Sequence, residues 1–259
     1  MPLCGYIKCN YSENIIIVSE ENRGYANGNN IGIKYALDHG CEYICLLNSD
    51  VVVEEDFLEP LVENITSEHN IGIVGPCICE YSKRNYIQAM GAEINLYVGL
   101  AQRKFNGRKY SNINKKILNV DYLGGACFLF NKNIIEKIGL IPENYFLFYE
   151  ETEFCLRAKK AGYKLLCIHN SRVYHKGSAT ISKFKGLSYF FLNRNRIIFM
   201  RRNANIFQKI IFSIYLIFET IGRMLIRKEN FELLKYYYIG MKADINNIGI
   251  KEVKSYLNN

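Results

Sequence analysis

Five short, almost uninterrupted apolar runs separated by helix-like segments constrain the fold of this chain more than any other feature. Runs of this length without polar alternation are typical of strands covered on both faces. The runs are IIIVS (15–19), YICLL (43–47), IGIVG (71–75), ACFLF (126–130) and KLLCI (164–168). The segments NNIGIKYALDHG and NKNIIEKIGL have helical spacing and stop near Gly40 and Gly139. The alternation predicts an α/β fold with a mostly parallel sheet and flanking helices. INLYVGLAQRKFNG (94–107) predicts a hairpin inserted into that sheet.

The excess positive charge of the chain lies in its C-terminal part. The 259 residues carry a formal net charge of +8, and from Lys183 onward 14 Lys and Arg stand against 5 Asp and Glu. Residues 1–182 are therefore almost neutral and give no reason to expect a nucleic-acid partner. We predict one α/β domain over residues 1–182 and a basic, helical extension over residues 183–259. Nine scattered cysteines without CxxC pairs favour reduced thiols and hence a cytoplasmic protein.

A polar triplet ends the second apolar run. Asn48, Ser49 and Asp50 follow YICLL directly. In open α/β sheets, ligands bind beyond the carboxyl ends of the strands, so this triplet is placed to contact a ligand. The alternative is an ordinary turn, since Asn, Ser and Asp are common turn residues.

The segment NRGYANGNN (22–30) is rich in asparagine and small residues and precedes a predicted helix. Such a segment can approach a ligand closely and present amide groups to it. An ordinary loop followed by a helix cap is the alternative.

The segment YFLFYEETEFCLRAKKAGY (145–163) predicts a helix with Glu150, Glu151 and Glu153 in its first turn. These acids could serve only to stabilise the helix start. The aromatic block before them favours a partly enclosed carboxylate instead. Further along, His175 ends another apolar run and could join Asp50 in a site for a hard cation, although a lone histidine is commonly structural.

Taken in order, several segments resemble the family 2 inverting glycosyltransferases with a GT-A fold, especially their rhamnosyltransferase-like branch. They are NRGYANGNNIG, YICLLNSD, GGACFLFNKNIIEKIGLIPENYFLFYEETEFCLRAKKAGY, VYHKGSAT and YFFLNRNRIIFMRRN, spanning about residues 14–203. The resemblance implies a UDP- or dTDP-sugar donor, with rhamnose as one candidate sugar. It also implies transfer with inversion to a cell-surface glycan or a lipid-linked acceptor.

The resemblance implies roles for individual residues as well. NSD falls on the family's DxD-type motif, so Asp50 is expected to bind Mn²⁺ or Mg²⁺, and His175 matches a histidine that helps bind the metal in some members. Glu151 takes the position of the catalytic base, where aspartate is usual. The expected substrate-binding residues are Asn22, Gly24, Asn30, Asn48, Gly124, Gly125 and Glu150.

At its N-terminus the chain differs from the family that it resembles. Family members begin with a strand, a helix and a second strand that bind the nucleoside, whereas this chain is expected to start late in that segment. The domain over residues 1–182 is therefore expected to be a truncated GT-A-like catalytic domain that binds sugar nucleotides weakly by itself. The alternative is a non-catalytic fragment or partner subunit that binds glycan or protein.

Residues 206–226 of the extension are apolar but contain only nine consecutive uncharged residues between Lys209 and Glu219. That stretch is too short to span a bilayer core of about 30 Å. Basic residues flank it: Arg194, Arg196, Arg201, Arg202, Arg223, Arg227 and Lys228. This combination predicts an interfacial helix on an anionic leaflet, at the inner face of the cell membrane. The alternative is a helix packed on the main domain with a solvated basic face.

Overall fold

The computed structural model describes residues 14–19, 22–177, 185–226 and 231–242. In chain order its elements are α1 (Tyr25–Asp38), β1 (Tyr43–Leu47), β2 (Val51–Val53), α2 (Glu59–Ser67), β3 (Ile71–Glu80), β4 (Ile87–Ala89), β5 (Ala92–Asn95), β6 (Leu100–Arg103), β7 (Ile117–Asn119), β8 (Cys127–Asn131), α3 (Asn133–Ile138), α4 (Glu150–Lys160), β9 (Lys164–His175), α5 (Lys185–Asn203), α6 (Ile206–Leu225) and α7 (Phe231–Lys242).

Seven of these strands form one central sheet in the order β1-β8-β3-β9-β2, with β4 also paired to β3 and β7 to β9. β3 and β9 pair in parallel, and the other pairings are antiparallel. The predicted α/β fold is confirmed. The sheet is mixed rather than mostly parallel, because β8 runs in the opposite direction between β1 and β3. β1, β3 and β9 still share one direction, so their carboxyl ends lie on the same side of the sheet.

The first predicted strand, IIIVS (15–19), is not a strand. Residues 14–19 have no regular structure, and the side chains of Ile15, Ile17 and Val18 are exposed. An extended segment becomes part of a sheet only when a neighbouring strand satisfies its backbone groups. Among the strands that the structure describes, none pairs with this segment. The prediction for this run is therefore wrong.

The predicted hairpin is confirmed as β5 and β6, which pair antiparallel with Ile94 opposite Ala101. It forms a separate two-stranded sheet, so its predicted insertion into the central sheet is wrong. Its turn includes Gly99, where φ is +66° and an added Cβ would lie 2.7 Å from Met200 Cγ on α5. Only glycine combines this left-handed backbone with such a close contact. The hairpin tip is thereby packed directly against α5.

The extension is helical in its described parts, as predicted, and α5 is integrated into the protein core. Phe190, Phe191 and Phe199 of this helix are fully buried. Arg194 and Arg196 are also buried, 1% and 3% exposed, so the prediction that they face a membrane surface is wrong. Each guanidinium instead has partners inside the protein. Arg194 donates to Asn195 Oδ1, and Arg196 donates to Val98 O and Glu219 Oε2.

The three helices of the extension include no candidate membrane span. Within the described residues, no helix combines the length and apolar composition that crossing a bilayer requires. Arg227 and Lys228, the last two members of the predicted basic flank, lie outside the described residues.

Candidate active site

A cavity of about 220 Å³ lies at the side of the sheet where β1, β3 and β9 end. The end of β1, the segment before β8, the start of α4 and the end of β9 all contribute to its wall. Six predicted site residues line it: Asn48, Gly124, Gly125, Glu150, Glu151 and His175. The backbone of Asn48 donates to Ala126 O at 3.0 Å, which holds the polar triplet against the glycine segment. The fold therefore brings together residues that are far apart in the sequence.

Glu151 has the environment of a general base. It lies in the first turn of α4, and its Oε1 accepts a hydrogen bond from Tyr122 Oη at 3.1 Å. Its Oε2 is shielded from solvent and has no hydrogen-bond partner among the residues that the structure describes. Burial raises the pKa of the Glu151 carboxyl above its ordinary value. A carboxylate with a raised pKa and one free oxygen in a cavity is suited to accept a proton from a substrate.

Glu150 lies beside it and is 2% exposed. Within the described part of the chain, its Oε2 also lacks a hydrogen-bond partner. Burial, followed by the charge of Glu151, raises the pKa of Glu150 well above its ordinary value. The two neighbouring carboxyls therefore disfavour simultaneous ionisation.

Glu153, the third acid of this turn, does not line the cavity. Its carboxylate accepts hydrogen bonds from Tyr145 Oη and from Arg157 on its own helix. Arg202 of α5 lies 3.5 Å away. The Glu153 carboxylate therefore links α4 to α5 and has no free position for a substrate. Glu151 and Glu150 are the acids of this turn that can contact one.

Asp50 and His175 come together because β2 pairs with β9, with Val51 opposite His175. Asp50 Oδ2 lies 3.3 Å from His175 Nε2. On its other side, His175 Nδ1 lies 2.8 Å from Gln88 Oε1. A proton on Nδ1, donated to this oxygen, leaves the Nε2 lone pair facing the carboxylate. That arrangement is favourable when a cation lies between them.

The pair fits a divalent cation but supplies few ligands. Neighbouring ligands of an octahedral ion with bonds of about 2.0–2.1 Å lie roughly 3 Å apart, close to the observed separation. Among the described residues, no group of three or more His, Cys, Asp and Glu side chains could hold a metal. Oxygens from a bound diphosphate would have to complete the coordination.

Gly125 has a packing reason to be glycine. An added Cβ would lie 2.9 Å from Tyr25 Oη and 3.0 Å from Glu151 Oε1. Tyr25 Oη donates to Gly125 O at 2.7 Å. The absent side chain therefore lets Tyr25 and Glu151 approach the same backbone position. At Gly124 the nearest atom would be Ile78 Cδ1 at 3.5 Å, which is an ordinary contact.

Three predicted substrate-binding residues are not brought to the cavity: Asn22, Gly24 and Asn30. The segment is helical from Tyr25 onward, rather than a loop as predicted. Asn30 is buried, and its amide nitrogen donates to Ile141 O at 2.8 Å. Gly24 has φ +95°, and an added Cβ would lie 2.3 Å from Phe146 O. Asn22 Oδ1 accepts from Gly24 N. These contacts anchor α1 to the segment before α4.

Sequence reasoning missed four polar residues that line the cavity: Tyr25, Gln88, Arg103 and Tyr122. Tyr25 and Arg103 lie in segments that the sequence singled out for other reasons, 22–30 and 94–107, whereas Gln88 and Tyr122 belong to no recognisable motif. Gln88 reaches His175 because β4 and β9 both pair with β3. Tyr122 is placed by the backbone bond from Ala92 N to Tyr122 O at 2.9 Å. Strand pairing therefore places Gln88 and Tyr122, and the hydrogen bond to Gly125 O places Tyr25.

The fold and the cavity define a GT-A protein. The chain is similar to GalNAc-T7, solved with UDP, GalNAc and Mn²⁺, with a TM-score of 0.54 and 18% identity over 74% of this chain and 41% of that one. It is also similar to the mannosyltransferase PcManGT from Pyrobaculum calidifontis, solved with GDP-Man and Mn²⁺. That TM-score is 0.51 with 10% identity, over 98% of this chain and 64% of that one.

The chain belongs to glycosyl transferase family 2, whose sequence pattern matches residues 4–139. It is 29% identical over 153 residues to the low-salt glycan biosynthesis hexosyltransferase Agl10 from Haloferax volcanii, covering 59% of this chain and 48% of that protein. It is 25% identical over 201 residues to the dTDP-rhamnosyl transferase RfbF from Shigella flexneri, covering 73% and 63%. The chain thus spans less than two thirds of either relative. The predicted family and GT-A fold are confirmed.

Proposed function

We propose that this chain carries the reaction centre of a metal-dependent, inverting glycosyltransferase that uses a UDP- or dTDP-sugar. One observation carries this proposal: Glu151, an enclosed carboxyl with a raised pKa, lines the same cavity as His175, which contacts Asp50. Transfer needs a base for the acceptor and charge compensation for the departing diphosphate. Both are available at this cavity. The similarity to a dTDP-rhamnosyl transferase supports rhamnose as a candidate sugar.

In this mechanism, Glu151 accepts the proton of the acceptor hydroxyl as that oxygen forms its bond to the anomeric carbon. The bond from this carbon to the diphosphate oxygen breaks, and the nucleoside diphosphate leaves from the opposite face with the bonding electrons. Tyr122 orients the Glu151 carboxyl through its hydrogen bond. Asp50 and His175 would hold a divalent cation, which when bound stabilises the charge on the leaving group. Glu150 lines the same cavity, and in its protonated form, which burial favours, it can donate a hydrogen bond to a sugar hydroxyl.

A donor screen tests the reaction class. The protein would be incubated with UDP- and dTDP-sugars, with Mn²⁺, Mg²⁺ or EDTA, and release of nucleoside diphosphate would be measured. We expect release from one nucleotide class, stimulated by metal and abolished by EDTA. Calorimetry under the same conditions separates binding from turnover. Binding of glycan without turnover of any donor would instead favour a non-catalytic subunit.

The proposed acceptor is lipid-linked or on a membrane surface, and α6 has a face suited to contact with a membrane. α6 presents a continuous apolar face at helical spacing, with Phe207 74%, Ile214 50% and Phe218 69% exposed. The remaining exposed apolar side chains of this face are Ile206, Ile210, Ile211, Ile217, Ile221, Met224, Leu225 and Ile226. The opposite side of α6 packs on the core through Phe212. A helix with such a face lies at the boundary between lipid headgroups and acyl chains.

Charge complementarity favours an anionic bilayer as the occupant of this face. Arg201 and Lys235, on the neighbouring helices, are exposed, and Lys209 on α6 is partly exposed. Within α5–α7, Glu219 is the one acid whose side chain the structure describes. It forms ion pairs with Arg196 and Arg223. Exposed cations on the same helical extension as an apolar face suit anionic headgroups. We therefore propose that the protein works on a lipid-linked or surface glycan at the cytoplasmic face of the membrane.

Co-sedimentation with vesicles tests this contact. Wild-type protein is expected to sediment with vesicles that contain anionic lipid. The triple variant Phe207→Glu/Ile214→Glu/Phe218→Glu should bind these vesicles at least about tenfold more weakly, because it places three negative charges on the apolar face. Val62→Glu, at an exposed apolar position of α2, is the matched control. Equal recovery with neutral vesicles would remove the charge argument. Dimerisation of the wild type that the triple variant abolishes would assign the face to a second copy.

A further inference from the structure

The segment that leads into α4 has an unfavourable backbone conformation. Phe146, Phe148 and Tyr149 have φ values of 65°, 68° and 74°. Bulky residues rarely adopt this left-handed region, and they persist there only when surrounding contacts enforce it. α4 begins at Glu150, immediately after this segment. The conformation of residues 145–149 therefore decides where the Glu150 and Glu151 carboxyls point.

One side chain contacts most of this segment. Asn195 of α5 is fully buried. Its Nδ2 lies 2.9 Å from Tyr145 O, 2.6 Å from Leu147 O and 2.9 Å from Phe148 O. The contact with Tyr145 O is buried and the other two are partly buried, so one amide group supports three consecutive parts of the segment.

A second side chain orients that amide. Arg194 Nη1 donates to Asn195 Oδ1 at 2.7 Å, and this requires that the Asn195 nitrogen face the loop. The same guanidinium lies 3.4 Å from Asn144 O at two of its nitrogens. Arg194 is also buried. Adjacent residues of α5 thus hold consecutive parts of the segment before α4.

We propose that Asn195, oriented by Arg194, is a positioning residue for the Glu151 base. It acts by donating its two N–H groups, one of them shared, to three carbonyls of the left-handed segment. Without it, the backbone would relax toward ordinary φ values and the first turn of α4 would rotate away from the cavity. This inference rests on the proposed role of Glu151. It links the C-terminal extension to catalysis through a direct contact.

Two variants of Asn195 test the proposal against a matched control. Asn195→Asp keeps the side-chain volume but presents a carboxylate oxygen to the three carbonyls, and Asn195→Ala removes the amide. Asn193→Ala is the control, because Asn193 is also a buried asparagine of α5 but donates to Tyr189 O of its own helix. We expect kcat to fall about 100-fold in both Asn195 variants, with donor KM within about threefold of wild type. The metal pair, which lies on other elements, stays in place.

A spectroscopic readout separates this role from the base assignment. In protein with ¹³C-labelled glutamate carboxyls, the Glu151 signal, assigned through Glu151→Gln, is followed against pH. The ionisable groups around it are Glu150, Tyr122, Tyr25 and Cys155. We expect its raised pKa to move toward the ordinary value in both Asn195 variants and to stay raised in Asn193→Ala. This shift would support positioning even if Glu151→Gln retained activity and the base assignment failed.

Two outcomes would overturn the proposal. One is a folded Asn195→Asp protein with wild-type kcat and an unchanged Glu151 titration. The other is a parallel loss of thermal stability and kcat in the Asn195 variants and in Asn193→Ala, which would assign Asn195 to general packing of α5.

Discussion

Replacement of Glu151 with glutamine is expected to lower kcat for sugar transfer by about 10²–10⁴-fold, while donor affinity stays close to wild type. The amide keeps the shape of the side chain, and its oxygen can still accept the hydrogen bond from Tyr122. It cannot accept the proton of the acceptor hydroxyl. Steady-state kinetics and donor calorimetry on the same preparation measure the two effects separately. Glu63→Gln, at an exposed position of α2, is the control.

The pH dependence of this activity follows from the environment of Glu151. Burial raises the pKa of its carboxyl, and the base acts only when ionised. The wild-type rate should therefore fall as pH decreases through this raised pKa, and the limb should lie above pH 4.5, the ordinary value. The residual rate of Glu151→Gln should lack that limb. Full activity in this variant would place the base elsewhere. Glu150 would then be the next candidate, because Glu153 is held by Tyr145 and Arg157.

Replacement of Asp50 with alanine is expected to abolish metal-dependent turnover. Asp50 and His175 are the protein groups that would hold the cation, so loss of the carboxylate leaves one imidazole and the donor's own oxygens. We expect the apparent affinity for Mn²⁺ to weaken by at least about 100-fold, more than the loss typical of an outer-shell partner. Manganese titration of donor turnover measures this change.

Asp56→Ala provides the matched control for that experiment, because Asp56 is an exposed aspartate in the turn that follows β2. It should keep the metal response of the wild type. Gln88→Ala should give an intermediate loss, since Gln88 contacts the imidazole of His175 and is not one of the two proposed ligands. An Asp50→Ala protein with wild-type activity and metal response would contradict the assignment.

The helical extension has two roles in these proposals, and they lie on different helices. α5 contacts the segment before the base through Arg194 and Asn195. α6 presents the apolar face proposed to contact lipid. Arg196 of α5 and Glu219 of α6 form an ion pair at 2.8 Å that joins the two helices. Truncation of the chain before α5 is therefore expected to remove the support of the base as well as the membrane contact.

Local patterns in the sequence determined most of the elements. Four of the five apolar runs became β1, β3, β8 and β9, because a continuous apolar segment of strand length is buried in a sheet whatever the direction of its neighbours. α4 followed from helical spacing, with acids in its first turn and basic residues in its last. The resemblance placed Asp50, Glu151 and His175 in one site because its motifs are short and contiguous.

The tertiary structure decided which strands pair, which charged side chains are buried and which residues reach the cavity. The run at 15–19 has no described strand beside it, and Arg194 and Arg196 are directed inward by partners far away in the chain. Tyr122 and Gln88 reach the cavity through strand pairing alone. Strand order, burial and the enforcement of strained backbone all depend on contacts between distant residues. For that reason the sequence indicated which carboxylate could act as the base, and only the folded chain identified Asn195 as the side chain that holds it in place.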